Sequence, residues 1–375
     1  MTTTAPLRAP SADPVDLVQY FDDYASRYQP YKGGAWCYED GCIYRGLLLL
    51  HEATGDMRWR AHLERLITPQ VAPDGALRGY DPQDFNIDNI LPGRVLFALA
   101  RWGDDPRWMA AADRLGAQLA AHPRTKGGSY WHKKIYPHQV WLDGLYMGLP
   151  FQIALGQAKA DQPLIADALR QLHDAFALTA RGDGLYAHGH DEARAQAWAD
   201  PVSGRSASAW ARALGWQAMA LVDCAALVGD DAFDKAGLAA PTAALLDRIA
   251  GLQHQDGGWF QVIDMPELPG NYTESSASAM FAYALASAGV LAPGGAAAAR
   301  ARATDFLTGR LKRDGAGMRL TGICQVAGLG GFSGTYRDGS PAYYLTERLA
   351  DDDAKGVGPF MMAAARAGLV APGKA

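Results

Sequence analysis

Asp143 sits in WLDGLYM (141–147), flanked by Trp141, Leu142, Leu145, Tyr146 and Met147 in one of the most apolar windows of the chain. Burial disfavours the charged form of a carboxyl, so a lone acid in such surroundings is expected to keep its proton, the condition a proton donor needs. Gln139 and Met147 each lie four residues away, on the same face if the segment is one helix. Arg212 and Trp216 in WARALGW (210–216) have the same spacing. A cation beside an aromatic ring can take an anionic sugar by pairing with its carboxylate. The same two residues can equally form a cation–π or ion pair within the protein. Asp88 directly precedes an apolar stretch expected to be helical over 89–101, where a carboxylate often serves as N-cap. His188 and His190 alternate in GLYAHGHD beside Asp191. Two such histidines can bind a metal, but no third ligand stands nearby and a hydrogen-bonding role fits better.

The elements that must hold these residues are helical. Apolar residues recur at helical spacing in segments ended by Gly, Pro or Asp: 43–55, 89–103, 140–156, 206–229 and 276–290. More polar helical stretches lie between them at 58–67, 107–122, 164–180 and 297–311. An apolar helix followed by an amphipathic one, repeated along the chain, implies a buried inner layer and an exposed outer layer. The unit, about 50 to 70 residues, lacks the signatures of short solenoid repeats. Six pairs fit the length, the last around 343–370, and six can close into an (α/α)6 toroid. Periodicity alone equally permits an open α-solenoid. Residues 1–30 read as an N-terminal extension with the first helix, and 31–375 as one (α/α)6 catalytic domain.

Composition narrows the partners. The chain has 375 residues, 49% hydrophobic and 20% charged, so a sizeable core needs no covalent staples. Its net charge of −5, with no basic block, speaks against nucleic acid. Cys37, Cys42, Cys224 and Cys324 are too scattered for a disulfide framework or a structural zinc site. Neither the N-terminal MTTTAPLRAPSADP nor any later stretch has the apolar run of a signal peptide or membrane span, so the default expectation is cytoplasmic. The loops are the unusual part. GGAWCYEDG (33–41), GYDPQDFNIDN (79–89), KGGSYWHKKIYPHQ (126–139), 184–206, 256–276 and 322–344 each precede an apolar helix and carry much of the Trp, Tyr, His and Asp. Aromatic faces stack on sugar rings and acids hold hydroxyls, so these loops suit a carbohydrate pocket. The plainer alternative is that the aromatics plug the toroid.

YWHKKIYPHQVWLDGLYMGLPF, with RALGW, WADPVSG, DGGWFQV, NYTESSASAMFAYAL and GTYRDGSPAYYL, resembles glycoside hydrolase family 105, the unsaturated rhamnogalacturonyl hydrolases, over most of the chain. Family 88, the unsaturated glucuronyl hydrolases, is related. The resemblance implies removal of a 4,5-unsaturated uronic acid from the non-reducing end of polysaccharide-lyase products. The double bond is hydrated: an acid protonates C4, water adds at C5, and the hemiketal opens to release the next sugar. It implies Asp143 as catalytic acid and Asp88 as the second acid. Tyr38 (with Tyr44 available nearby), Lys133, Met147, His188, Trp210, Arg212 and Trp216 are then expected to line the sugar pocket. No metal or organic cofactor is implied. The family's usual Arg-Gly-Asn-Gly-Trp reads here with Ala213 and Leu214 in the middle, which touches the subsite around Arg212 and Trp216. The substrate implied is unsaturated galacturonyl-rhamnose, with ulvan- or arabinogalactan-type glucuronyl fragments as the alternative. A sugar epimerase using His188 and His254, or a non-catalytic sugar-binding toroid, are the rivals from other classes. The number of chains in the assembly stays open.

Overall fold

The computed structural model describes residues 16–315 and 317–370. Most of the N-terminal extension expected ahead of the first helix, residues 1–15, lies outside them. Six helical elements form an inner ring: α2 (Tyr38–Thr54), a 3-10 stretch Ile87–Val95 that runs on as α4 (Leu96–Trp102), α6 (Leu142–Lys159), α8 (Ala211–Val228), α11 (Ser275–Ser287) and α14 (Ala354–Arg366). Each packs on the next, and α14 returns onto α2. That contact closes the ring and decides between toroid and open solenoid: the fold is an (α/α)6 toroid. The outer helices are α1 (Leu17–Arg27), α3 (Met57–Ile67), α5 (Arg107–Ala121), α7 (Gln162–Thr179), α10 (Ala239–Gly251) and α12 (Ala296–Gly309), while α9 (Asp230–Lys235) and α13 (Pro341–Tyr344) are short.

The two layers follow from two sequence patterns. In α8, every residue from Ala211 to Ala225 is buried, as expected for a helix apolar on all sides. In α3 only Trp59, Leu63, Leu66 and Ile67 are buried, one stripe at helical spacing. The sixth pair differs from expectation, because α14 takes its outer partner from the start of the chain. Phe21 of α1 meets Phe360 edge-on at 5.3 Å, and the Tyr20 hydroxyl donates to Asp352 Oδ1 at 2.8 Å. The helix expected over 89–101 also starts differently. Pro92 lies inside it and cannot donate an α-helical hydrogen bond, and the chain there is 3-10. Its N-cap is Asn86, whose side chain accepts from the Asp88 N–H, so Asp88 falls in the first turn and is not the cap.

Four short antiparallel ladders occupy the loops that lead into inner helices: β1 (Gln139–Trp141) with β2 (Gly189–Asp191), β3 (Leu311–Asp314) with β4 (Gly317–Leu320), β5 (Ile323–Cys324) with β8 (Leu349–Ala350), and β6 (Gly330–Phe332) with β7 (Thr335–Arg337). β1 takes Gln139 out of the helix, so Gln139 and Asp143 do not share a helix face. All four cysteines are free and buried. Among the described residues one helix, Ala211–Val228, is long and apolar enough to cross a membrane, and 83% of it is buried within the fold.

The seam that closes the ring is tight. A Cβ at Gly358 of α14 would stand 2.4 Å from the Cys42 carbonyl oxygen of α2, and one at Gly46 of α2 would stand 2.8 Å from Met361 Cβ. Backbone lies on the far side of Gly358, so nothing there can yield cheaply. Gly358→Ala is expected to cost about 1–3 kcal/mol through overpacking. A urea midpoint lowered at unchanged slope checks this, and an unchanged midpoint shows that the seam has slack.

Candidate active site

β1 and α6 position Asp143. Trp141 ends the strand and Asp143 opens the helix, so the carboxylate stands at the helix N-terminus, where anionic charge is favoured. β2 pairs with β1 so that Trp141 faces Gly189, and the Leu142 N–H donates to the His188 carbonyl at 3.0 Å. This register seats the fully buried His188 imidazole behind Asp143, its Nε2 at 3.0 Å from Oδ2. The approach is off the axis of a straight hydrogen bond. On its other side His188 Nδ1 meets the Tyr344 hydroxyl at 2.8 Å. Tyr344 in turn stacks on Trp210 at 5.5 Å and 13°.

This environment corrects the expectation of an acid kept neutral by greasy surroundings. Burial pushes the Asp143 carboxyl up, but His188, His132 and Arg212 together outweigh it and hold the group below its ordinary value. In the free protein Asp143 is the anionic side of a carboxylate–imidazole pair.

Asp143 opens into a cleft of about 560 Å³ at the end of the inner ring where these loops gather. Tyr38, Asp88, Lys133, Met147, Trp210, Arg212 and Trp216, all expected from sequence, line the same cleft. Tyr38 is the first residue of α2, whereas Tyr44 points its hydroxyl to Gln70 in the core. Lys133 bridges to Asn86 across the backbone, which brings its Nζ to 2.6 Å from Asp88 Oδ2. Asp88 Oδ1 is buried and has no hydrogen-bond partner among the described residues. Trp216 stacks on Tyr146 at 5.3 Å and forms part of the floor with Met147.

Arg212 forms the cation–π contact within the protein that its type allowed, though with Trp210 and not Trp216. It borders the cleft while its guanidinium lies 4.9 Å over Trp210 and donates to the Ser276 hydroxyl and the Cys324 carbonyl. His188 is the expected pocket residue that does not line the cleft: it touches Asp143 from inside the protein. Ala213 and Leu214 are fully buried and do not line it either. His254 pairs with Asp256 at 3.0 Å on the turn after α10, outside the cleft, so an epimerase-type histidine pair with His188 is not assembled.

Trp141, expected only as an apolar neighbour of Asp143, also lines the cleft, and His132, Tyr136, Phe332, Arg337 and Lys355 were not singled out from sequence. His132 stacks on Trp141 at 4.3 Å and stands 3.7 Å from Asp88. Arg337 donates to the Tyr136 hydroxyl and to the Leu329 and Gly330 carbonyls, with no carboxylate beside it among the described residues. Lys355 is held by Asp353 at 2.8 Å. Arg337 falls within an aromatic-rich loop already suspected, but nothing local marked it apart from its neighbours. Four cations and two carboxylates thus border the cleft, and two of the cations, Lys133 and Lys355, are paired with acids. Among the described residues no three His, Cys, Asp or Glu side chains converge as a metal would require.

Residues 17–368 match the profile of Glycosyl Hydrolase Family 88. Protein Atu3128 of Agrobacterium fabrum is 54% identical over 233 residues, which is 60% of this chain and all of that one. YesR of Bacillus subtilis, an unsaturated rhamnogalacturonyl hydrolase, is 28% identical over 68% of this chain and 72% of its own. A family 105 glycoside hydrolase of C. acetobutylicum superimposes with a TM-score of 0.85 at 31% identity, covering 90% of this chain and 94% of that one. The unsaturated glucuronyl hydrolase of Bacillus sp. GL1 shares the fold at a TM-score of 0.63 and 16% identity.

Burial holds the His132 imidazole down at about 4 despite the nearby Asp88 carboxylate, and holds His122 at about 4 as well. In an unfolded chain both would take up protons near 6.5. The unfolded state therefore binds more protons between these values, and stability falls as pH drops from about 6.5 towards 4. Each group is worth about 3 kcal/mol over that window. NMR titration should show two imidazoles unshifted down to about pH 5; if all titrate near 6.5, the buried neutral state is refuted. The profile match, the C. acetobutylicum likeness and the assembled cleft place the chain in the glycosyl hydrolase family 88 and 105 group, as a glycoside hydrolase.

Proposed function

We propose that the chain hydrates the C4=C5 enol ether of a 4,5-unsaturated uronic acid at the non-reducing end of a lyase-generated oligosaccharide, with unsaturated galacturonyl-rhamnose as its substrate. The observation that carries this reading is the pairing of Asp143 with His188 at the edge of a cleft that has more cationic than anionic lining and aromatic walls. An unsaturated uronate is a flat anionic ring, and Trp and Tyr faces with guanidinium groups suit it. The relationship to YesR, an unsaturated rhamnogalacturonyl hydrolase, supports the rhamnose-linked form.

The chemistry needs a proton donor that later becomes an acceptor. Asp143 meets that need if it takes up a proton as substrate binds and returns to a carboxylate after delivering it. An incoming uronate brings negative charge and expels water, and both raise the proton affinity of Asp143. The carboxyl then delivers the proton to C4, and positive charge develops at C5 and the ring oxygen. The carboxylate left behind draws a proton from the water that adds at C5. Asp88, held by Lys133 and with Oδ1 free, accepts a hydrogen bond from a substrate hydroxyl or from that water. Because hydration occurs at C4 and C5, carboxylate separation does not dictate a stereochemical outcome as it does in ordinary glycosidases.

Incubation with lyase digests of rhamnogalacturonan tests the reading through loss of the ultraviolet absorbance of the conjugated uronate. Bleaching with release of a rhamnose-ended fragment is expected; faster bleaching of ulvan or arabinogalactan digests moves the substrate to the glucuronyl form. Cleavage of saturated oligosaccharides at equal rate sinks the mechanism. Asp143→Asn keeps the shape and removes the transferable proton, so kcat should fall by about 10³-fold or more while thermal stability stays near wild type. A variant that bleaches at near-normal rate would show that another group donates.

A further inference from the structure

The opposite end of the ring carries a second concavity. The inner helices run from the cleft to their C-terminal ends over about 20 Å, the length of fifteen helical residues. At that far end they surround an open funnel of about 1040 Å³. Four arginines border it, Arg45, Arg94, Arg101 and Arg366, against two acids, Glu52 and Asp223.

The charge balance at its base is uneven. Asp223 Oδ2 accepts from Arg94 at 2.7 Å, and Asp223 Oδ1 accepts from the Tyr283 hydroxyl. Arg45 approaches the same carboxylate only to 3.7 Å, too far for a hydrogen bond. Arg45 and Arg94 are each 9% exposed, so two buried guanidinium groups share one carboxylate. The Arg45 Nε is buried without any hydrogen-bond partner among the described residues. A buried cation with an unmet donor is costly unless something supplies the missing acceptor. Arg101 and Arg366 stand exposed at the rim, and neither forms an ion pair with a described residue. Glu52 is exposed and likewise pairs with no cation among them, leaving its charge to solvent.

We propose that this funnel is a binding site for a compact anionic oxygen group, a phosphate or the carboxylate of an acidic sugar, with Arg45 at its base and Arg101 and Arg366 closing over the ligand. Guanidinium forks match both groups through paired N–H donors. The site is separate from the cleft that holds Asp143, and the proposal does not rest on the function assigned there. Ligand bound here stabilises the ring by holding the C-terminal ends of α2, α4 and α14 to one another.

Calorimetry on the whole chain, with inorganic phosphate in one arm and digalacturonate in the other at matched chloride ionic strength, tests it. The comparison is between wild type and the double variant Arg101→Ala, Arg366→Ala, whose exposed positions leave the fold and the Asp143 cleft untouched. At least one probe should bind wild type and raise its Tm through linkage. Its Kd should rise about tenfold or more in the double variant. Phosphate alone binding assigns a phosphate site, and digalacturonate alone assigns an acidic-sugar site. The proposal fails if neither probe binds at about 10 mM. It also fails if the double variant binds as tightly as wild type, which would place the ligand in the cleft.

Discussion

One contact organises the rest of the site: His188 Nε2 against Asp143 Oδ2 at 3.0 Å, buried behind the cleft wall. A carboxylate at the end of an apolar inner helix needs compensation, and in this fold the compensation comes from another loop. The β1–β2 ladder sets the distance, because a one-residue slip in a strand pair turns a side chain to the other face. Tyr344 then fixes the imidazole from behind, and its stacking on Trp210 ties that anchor to the start of α8. Three loops and two inner helices thus converge on one carboxylate.

The toroid makes that convergence possible at low cost. Its inner helices are buried along most of their length and pack against one another closely, with Gly46 and Gly358 at the closing seam. A rigid ring leaves the loops at its ends as the variable part, and such loops on a fixed scaffold are where chemistry accumulates. At one end the loops are long and rich in aromatics, and they build the cleft. At the other end the connections are short, and polar side chains of the helices themselves form the arginine funnel. The two ends divide the chain's polar groups: a carboxylate beside an imidazole and stacking faces on one side, uncompensated guanidinium charge on the other.

Much of the cleft was legible because its residues stand next to helix starts. Asp143, Arg212, Trp216 and Met147 announced themselves by type and spacing within apolar segments, and Lys133 by the motif just before them. His188 was noticed for its type, but its side of the wall was not readable, since that depends on strand register. Arg337 and Lys355 stayed unmarked: an arginine in a loop or a lysine at a helix start looks like any solvated charge until the ring closes around it. The charge state of Asp143 was misjudged for a related reason. Local sequence shows the greasy neighbours that raise a carboxyl's proton affinity, and hides the imidazole that lowers it from a distant loop.

Periodicity was enough to establish alternating buried and amphipathic helices, because burial on all sides and burial on one stripe leave different local patterns. Residue type sufficed to nominate the acids. Ring closure, the recruitment of α1 as the sixth outer helix, and the meeting of Asp143 with His188 were settled only by folding. These are contacts between segments far apart in the chain, and no local pattern encodes which distant surfaces will touch or in what register.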